Sequence, residues 1–367
     1  MMKKLCMLVG YYPINRGGSE YQTYLLAQRL RREFEVFYIS VGQARDECII
    51  DNRMKIYMLR SPDLLCFKNA FFLLKSKISQ ILEHEQPDVI YQRVAYSATG
   101  IAARHCENSG CKLVWHIASQ RDVAPSRKNG GWYGIVSRID NRFRDYGIRN
   151  ADAIIGQAAY QEELLRRRYG RACDLIVGNF HPLPSEQVVK DGPVRVVWVA
   201  NLKPLKQPEV FIRLVERLHH RRDVRFVMIG RATSGRYQER LENAMAGLSN
   251  LTYEGEQSID EVNRTLARSH VFVNTSLYEG FPNTFIQAWF RHVPVVSLNV
   301  DPDNVLKARG LGYHSKSLEG LTKDTQRLID DPDLRESMGR RARAYALQHH
   351  SMLPNIGKIV SLLANAH

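Results

Sequence analysis

No run of about 18 apolar residues occurs in the 367-residue chain, so no helix is expected to cross a membrane. Residues 1–10 imitate a signal peptide, but their apolar core is short and runs into Tyr11-Tyr12-Pro13 without a small-residue cleavage site. They read as a first strand. There is no CxxC pair. Cys106 and Cys111, with four residues between them, have no CxxC partner, so no metal site is expected and reduced thiols in a cytosolic setting are the simplest account. The chain lacks the G-x-G-x-x-G spacing of a dinucleotide fingerprint, any repeat of 20–50 residues and any low-complexity segment. It also lacks an Asp-x-Asp at a strand end; Asp301-Pro302-Asp303 has the spelling but reads as a loop.

What is present is positive charge and alternating structure. The net charge is +14, of which residues 1–190 carry +9, from 28 Lys and Arg against 19 Asp and Glu. Such a surface attracts phosphorylated substrates or anionic lipid, or is simply solvated. At this length two domains are expected. Strand-like runs at 5–9, 35–40, 89–93, 111–116 and 151–156 alternate with helical periods. Pro182, Pro184 and Asp191-Gly192-Pro193 mark a linker near 180–192. Strands restart at 194–200, 225–230, 251–255, 271–273 and 293–297, each followed by a helical pattern. The expected class is α/β: two Rossmann-like parallel-sheet domains, 1–180 and 193–350, with a last helix at 352–366.

Two segments leave alternatives open. Phe67, Phe71, Leu74, Ile78 and Ile81 recur at helical spacing beside Lys68, Lys75 and Lys77, which suits either a core helix with solvated lysines or a helix touching anionic lipid. Residues 119–149 mix Arg121, Arg127, Lys128, Arg138, Arg142, Arg144 and Arg149 with Trp132 and Tyr133. That mixture suits a phosphorylated or lipid-linked acceptor, or an exposed helix; no nucleic-acid fold is apparent.

Residues 271–289 carry the sharpest signal. The apolar run Val271-Phe272-Val273 reads as a buried strand. Glu279 follows, then Gly280, which permits an unusual backbone angle or a close approach. Pro282 suits a first helical turn, and Phe285, Ile286 and Trp289 begin an apolar face. A helix N-terminus favours anions. The carboxylate beside it accepts hydrogen bonds from neutral hydroxyls, so the pair suits a sugar phosphate. Upstream, Gly17-Gly18-Ser19-Glu20 lies between a strand and a helix and makes a phosphate-approach loop or a plain turn. His116 closes a strand, where side chains of α/β sheets meet ligands. Lys203 and Lys206 follow the strand at 194–200, where two cations could neutralise a leaving diphosphate or simply face solvent.

The stretch Glu279-Gly280-Phe281-Pro282-Asn283, with Gln287-Ala288, resembles the Glu-x7-Glu signature of family 4 retaining glycosyltransferases, with Gln287 at the second Glu position. The resemblance extends over nearly the whole chain and is strongest from Ala200 to Ser297. It implies a GT-B fold whose two domains face across a cleft, with the last helix crossing back onto the N-terminal, acceptor-side domain. It also implies a metal-independent, retaining transferase with no cofactor and a nucleotide-diphosphate sugar as donor. Glu279, His116 and Lys206 would then be catalytic. Gly17, Gly18, Asn201, Lys203, Gly230, Arg231, Gly280, Phe281, Pro282, Asn283, Thr284 and Gln287 would line the donor. Asn201 stands where the family usually has Arg. The implied setting is envelope polysaccharide assembly at the inner face of the cell membrane, with a glycan or lipid-linked acceptor, no nucleic acid, and peripheral contact with anionic lipid. A non-catalytic nucleotide-sugar-binding protein and a GT-B epimerase are the competing readings.

Overall fold

A computed structural model describes residues 2–60, 71–124, 131–232 and 235–364. Phe67, Lys68, Arg127 and Lys128, together with the side chains of Trp132 and Tyr133, lie outside the described residues, as does the end of the expected last helix. The chain forms two compact units, Met1–Gly178 with Leu353–His367, and Asn179–Met352.

The first unit is built on an eight-stranded sheet of order β3-β4-β2-β1-β5-β6-β7-β8. Its strands are β1 (Lys3–Leu8), β2 (Phe34–Gln43), β3 (Glu47–Asp51), β4 (Met54–Arg60), β5 (Val89–Arg93), β6 (Lys112–His116), β7 (Ala153–Gly156) and β8 (Leu175–Ile176). Pairing is parallel except for the β3–β4 hairpin. The polar stretch after residue 40 forms this hairpin. Its turn is made by Asn52 and Arg53, both at positive φ. β5 is buried along its whole length, as a central parallel strand requires.

Helices α1 (Gly18–Leu30), α2 (Lys75–Glu85), α3 (Ser97–Ser109), α4 (Gln120–Val123), α5 (Gly131–Arg149) and α6 (Ala159–Tyr169) complete the unit. In α2, Ile78 and Leu82 are fully buried, which makes it a core helix with its lysines outward. Helices α3 and α5 cross closely. A Cβ on Gly100 would lie 2.2 Å from the carbonyl oxygen of Phe143, so only glycine fits there. The α3 C-terminus corrects the cysteine expectation. Gly110 turns the chain back at φ 75°, and Cys106 and Cys111 form a disulfide across it with Cα atoms 4.5 Å apart. Spacing alone does not show that this turn closes on itself, so the pair is not visible as a disulfide in the sequence.

The second unit has a fully parallel six-stranded sheet of order β11-β10-β9-β12-β13-β14. The strands are β9 (Val194–Val199), β10 (Val224–Ile229), β11 (Leu251–Tyr253), β12 (Val271–Asn274), β13 (Val295–Ser297) and β14 (Gly312–His314). Helices α7 (Pro208–Arg217), α8 (Gly235–Met245), α9 (Ile259–Ala267), α10 (Asn283–Phe290), α11 (Val305–Arg309), α12 (Leu318–Asp330) and α13 (Pro332–His350) cover its two faces. One core layer gathers Trp198, Phe211 and Phe226; the other gathers Phe272, Phe285 and Trp289. The final helix, α14 (Met352–Ala364), belongs from Leu353 onward to the first unit. No described helix is long and apolar enough to cross a membrane.

Candidate active site

In the second unit, β12 ends at Asn274 and the chain reaches α10 through Thr275–Pro282. The short segment between β9 and α7 runs beside this loop, joined to it by a hydrogen bond from the Leu277 amide to the Leu205 carbonyl, 2.9 Å. Thr275 fixes the approach. Its hydroxyl accepts from Trp198 Nε1 at 2.9 Å and donates to the Lys206 carbonyl at 2.6 Å. The Lys206 ammonium is thereby brought against Glu279 Oε1, where the two form an ion pair. Ser276 Oγ donates to the same oxygen at 2.7 Å. Lys203, the second lysine after the strand, is exposed and stands at the N-cap of the 3-10 turn Pro204–Lys206.

Beyond Glu279 the loop enters α10. Pro282 is the N-cap rather than a first-turn residue, with φ −63° and ψ 124°. Gly280 is buried and not at positive φ, so no left-handed backbone angle is needed there. Two residues that sequence reasoning missed hold this turn. Asn179 Nδ2 donates to the Phe281 carbonyl at 2.7 Å, and the His181 ring lies 3.3 Å from Asn283 Oδ1. Both come from about a hundred positions upstream, where spacing carries no signal. Gln287, 5% exposed, donates through Nε2 to Asn263 Oδ1 of α9 at 2.9 Å.

Asn201 and Lys203 sit on a loop that runs beside Gly230–Ala232, with the Leu202 amide bonded to the Arg231 carbonyl at 2.9 Å. Arg231 is half exposed and 4.0 Å from Glu256. A Cβ built on Gly230 would fall 1.7 Å from the Ala200 carbonyl oxygen, which is backbone and cannot move aside. Gly230→Ala is therefore expected to destabilise the protein by roughly 2–4 kcal/mol through enforced overpacking and backbone shift. The check is a fall in thermal midpoint; an unchanged midpoint would contradict the packing described.

The first unit holds the remaining candidates. Gly17 is the N-cap of α1 and Gly18 its first residue. A Cβ on Gly17 would meet the Glu20 carboxylate at 2.1 Å, so any side chain there would displace that carboxylate. His116 closes β6, 1% exposed and in register with Arg93 of β5. Its Nδ1 lies 2.5 Å from the Tyr91 hydroxyl, and its buried Nε2 has no hydrogen-bond partner among the described residues. Burial, helped by the Arg93 guanidinium, pushes the imidazole well below its ordinary pKa, so the ring is neutral near pH 7. Asp122, also missed from sequence, accepts the Ala118, Ser119 and Ala95 amides at 2.7, 2.9 and 3.2 Å and so pins the loop after His116. Burial raises its carboxyl, against the pull of those three amides. Among the described residues no group of three or more His, Cys, Asp or Glu is placed to hold a metal ion.

Residues 16–177 match the family described as Glycosyltransferase Family 4, and residues 193–331 match Glycosyl transferases group 1. Sucrose-phosphate synthase from Thermosynechococcus elongatus superposes with a TM-score of 0.77 at 14% identity over 98% of both chains. The chain has the GT-B fold. A second GT-B structure, HepE of Anabaena in complex with UDP-glucose, gives a TM-score of 0.73 at 16% identity, over 98% of this chain and 99% of that one. Glycosyltransferase 1 domain-containing protein 1 of Xenopus tropicalis is 21% identical over 157 residues. That match takes in 42% of this chain and 46% of the relative, so the chain spans about half the length of the curated relative it matches.

Proposed function

We propose that this glycosyltransferase moves a sugar, with retention at the anomeric carbon, from a nucleotide-diphosphate sugar to a glycan or lipid-linked acceptor in envelope polysaccharide assembly. The observation that carries the reading is the Lys206–Glu279 pair beside the N-terminus of α10. Lys206 and the first-turn amides of α10 supply positive charge where a diphosphate leaves. Glu279 accepts hydrogen bonds from sugar hydroxyls. The bond from the anomeric carbon to the phosphate oxygen breaks, and the acceptor oxygen bonds the same face of that carbon. The acceptor proton passes to the departing diphosphate, so no side-chain nucleophile and no metal are assigned.

In this reading Gly280 to Thr284 face the diphosphate and sugar, and Gln287 reaches the ribose hydroxyls. Asn201, Lys203, Gly230 and Arg231 border the nucleotide, while Gly17 and Gly18 serve the phosphates. The neutral ring of His116 suits hydrogen bonding to a sugar hydroxyl through Nε2. The +9 charge of residues 1–190 favours an anionic acceptor, and with it peripheral contact at the inner face of the cell membrane.

HepE binds UDP-glucose, which makes uridine diphosphate sugars the first donors to test. A thermal-shift screen of nucleotide sugars, followed by product analysis with and without acceptor, tests the proposal. Stabilisation by one donor and a retained-configuration glycoside is the expected result. Tight binding without transfer, or an epimerised sugar nucleotide without acceptor, would overturn it. Gln287→Glu is expected to leave the fold intact, because a half-turn of the Asn263 amide presents its NH2 to the new carboxylate. The variant should bind donor about ten-fold more tightly through charge-assisted bonds to ribose; calorimetry of donor binding checks this.

A further inference from the structure

Away from the residues assigned above, the second unit gathers four arginines around one cavity. Strand register sets Arg195 of β9 beside Arg225 of β10. By alternation both share the sheet face of Val197 and Val227, the layer that α9 covers with Val262 and Leu266. Arg264 of α9 and Arg268 at its C-cap lie one turn apart on a single face. The four line a cavity of 650 Å³ together with Thr252 and Thr265.

Among the described residues none of these four side chains makes a hydrogen bond or an ion pair. Arg217, Arg221 and Arg291 of the same unit are each paired with carboxylates. Two carboxylates also line the cavity. Glu261 is engaged at the α9 N-terminus, accepting the Ser258 amide at 2.7 Å. Glu254 is held up by partial burial, opposed by Arg195. The lining thus carries four positive against two negative charges. A bound anion would offset the excess of positive charge lining the cavity.

We propose that this cavity is a second, non-catalytic binding site for a small anion carrying two or more phosphate groups. Guanidinium forks match phosphate oxygens bidentately, and the volume lies within the small-ligand range of about 300–1,000 Å³. The threonine hydroxyls add neutral donors. The site is distinct from the donor phosphates: Arg195 is the second residue of the six-residue β9, while Lys206 follows its far end, and the strand from Arg195 to Val199 alone spans roughly 13 Å.

Inorganic tripolyphosphate is the probe, titrated by calorimetry into the full chain carrying Lys206→Ala, which removes the cation assigned to the donor diphosphate. One saturable site is expected there. It should weaken roughly ten-fold with Arg195→Gln or Arg264→Gln and vanish when all four arginines are replaced by glutamine. An unchanged thermal midpoint shows that the substituted protein is folded. Absence of saturable binding in Lys206→Ala would overturn the proposal, as would undiminished binding to the folded four-fold variant.

Discussion

Glu279→Ala and Lys206→Ala are each expected to lower the transfer rate by roughly 10²–10³-fold, the effect of removing one preorganised charge from a transition state. Stability should barely move. Their side chains are 18% and 23% exposed, and a partly solvated pair of this kind contributes about 1 kcal/mol or less. The combination of a dead enzyme and an intact fold separates a chemical role from a structural one. Glu279→Gln refines the test. It keeps the shape and one acceptor oxygen for Ser276 Oγ but removes the charge that pairs with Lys206. Its rate should fall between wild type and Glu279→Ala, because hydroxyl binding survives in part. Ser276→Ala should act more weakly still, since it frees rather than removes the carboxylate. The measurement is initial rate against donor concentration for the folded variants. Near-normal turnover in both alanine variants would remove the proposed assignment of this site.

The strand, turn and helix around Glu279 were legible because each step has a local signature. Val271 to Asn274 is an apolar run and forms β12; Phe285, Ile286 and Trp289 recur at helical spacing and are fully buried in α10. His116 was legible for the same reason, as the last residue of a strand in an alternating α/β pattern. Contacts made across long sequence separations were not. Asn179 and His181 brace the α10 entry from 102 positions away, and nothing in their neighbourhood marks them. The β3–β4 hairpin escaped notice because β3 is an edge strand with one solvent face. Ile50, 80% exposed, breaks the apolar alternation that would have shown it. The four-arginine cavity depends on strand register, and register is a tertiary property.

His181, together with the buried His350 at the end of α13, is expected to make the second unit acid-sensitive. His181 and His350 are 4% and 2% exposed. Burial pulls the His181 ring down to about 3, with Arg291 and His350 adding to the effect against its Asn283 partner. Burial likewise pulls His350 down to about 4, although its Nδ1 bonds the Asn179 carbonyl at 2.7 Å. Both groups bind protons more readily unfolded, at an ordinary value near 6.5, than folded. Their contribution is therefore complete above about pH 6.5 and is lost as pH falls towards the folded values. Each histidine should remove about 1.4 kcal/mol per pH unit in that window, so the pair should cost roughly 5 kcal/mol between about pH 6.5 and about pH 4.5. The loss falls on the α10 entry, since Asn179 and His181 are the residues that grip Phe281 and Asn283. Calorimetric unfolding of the full chain across that range measures it. A His181→Asn/His350→Asn variant, which has no ring to protonate, should start less stable and show a flatter pH dependence. Equal slopes in wild type and variant would mean that the acid sensitivity arises elsewhere.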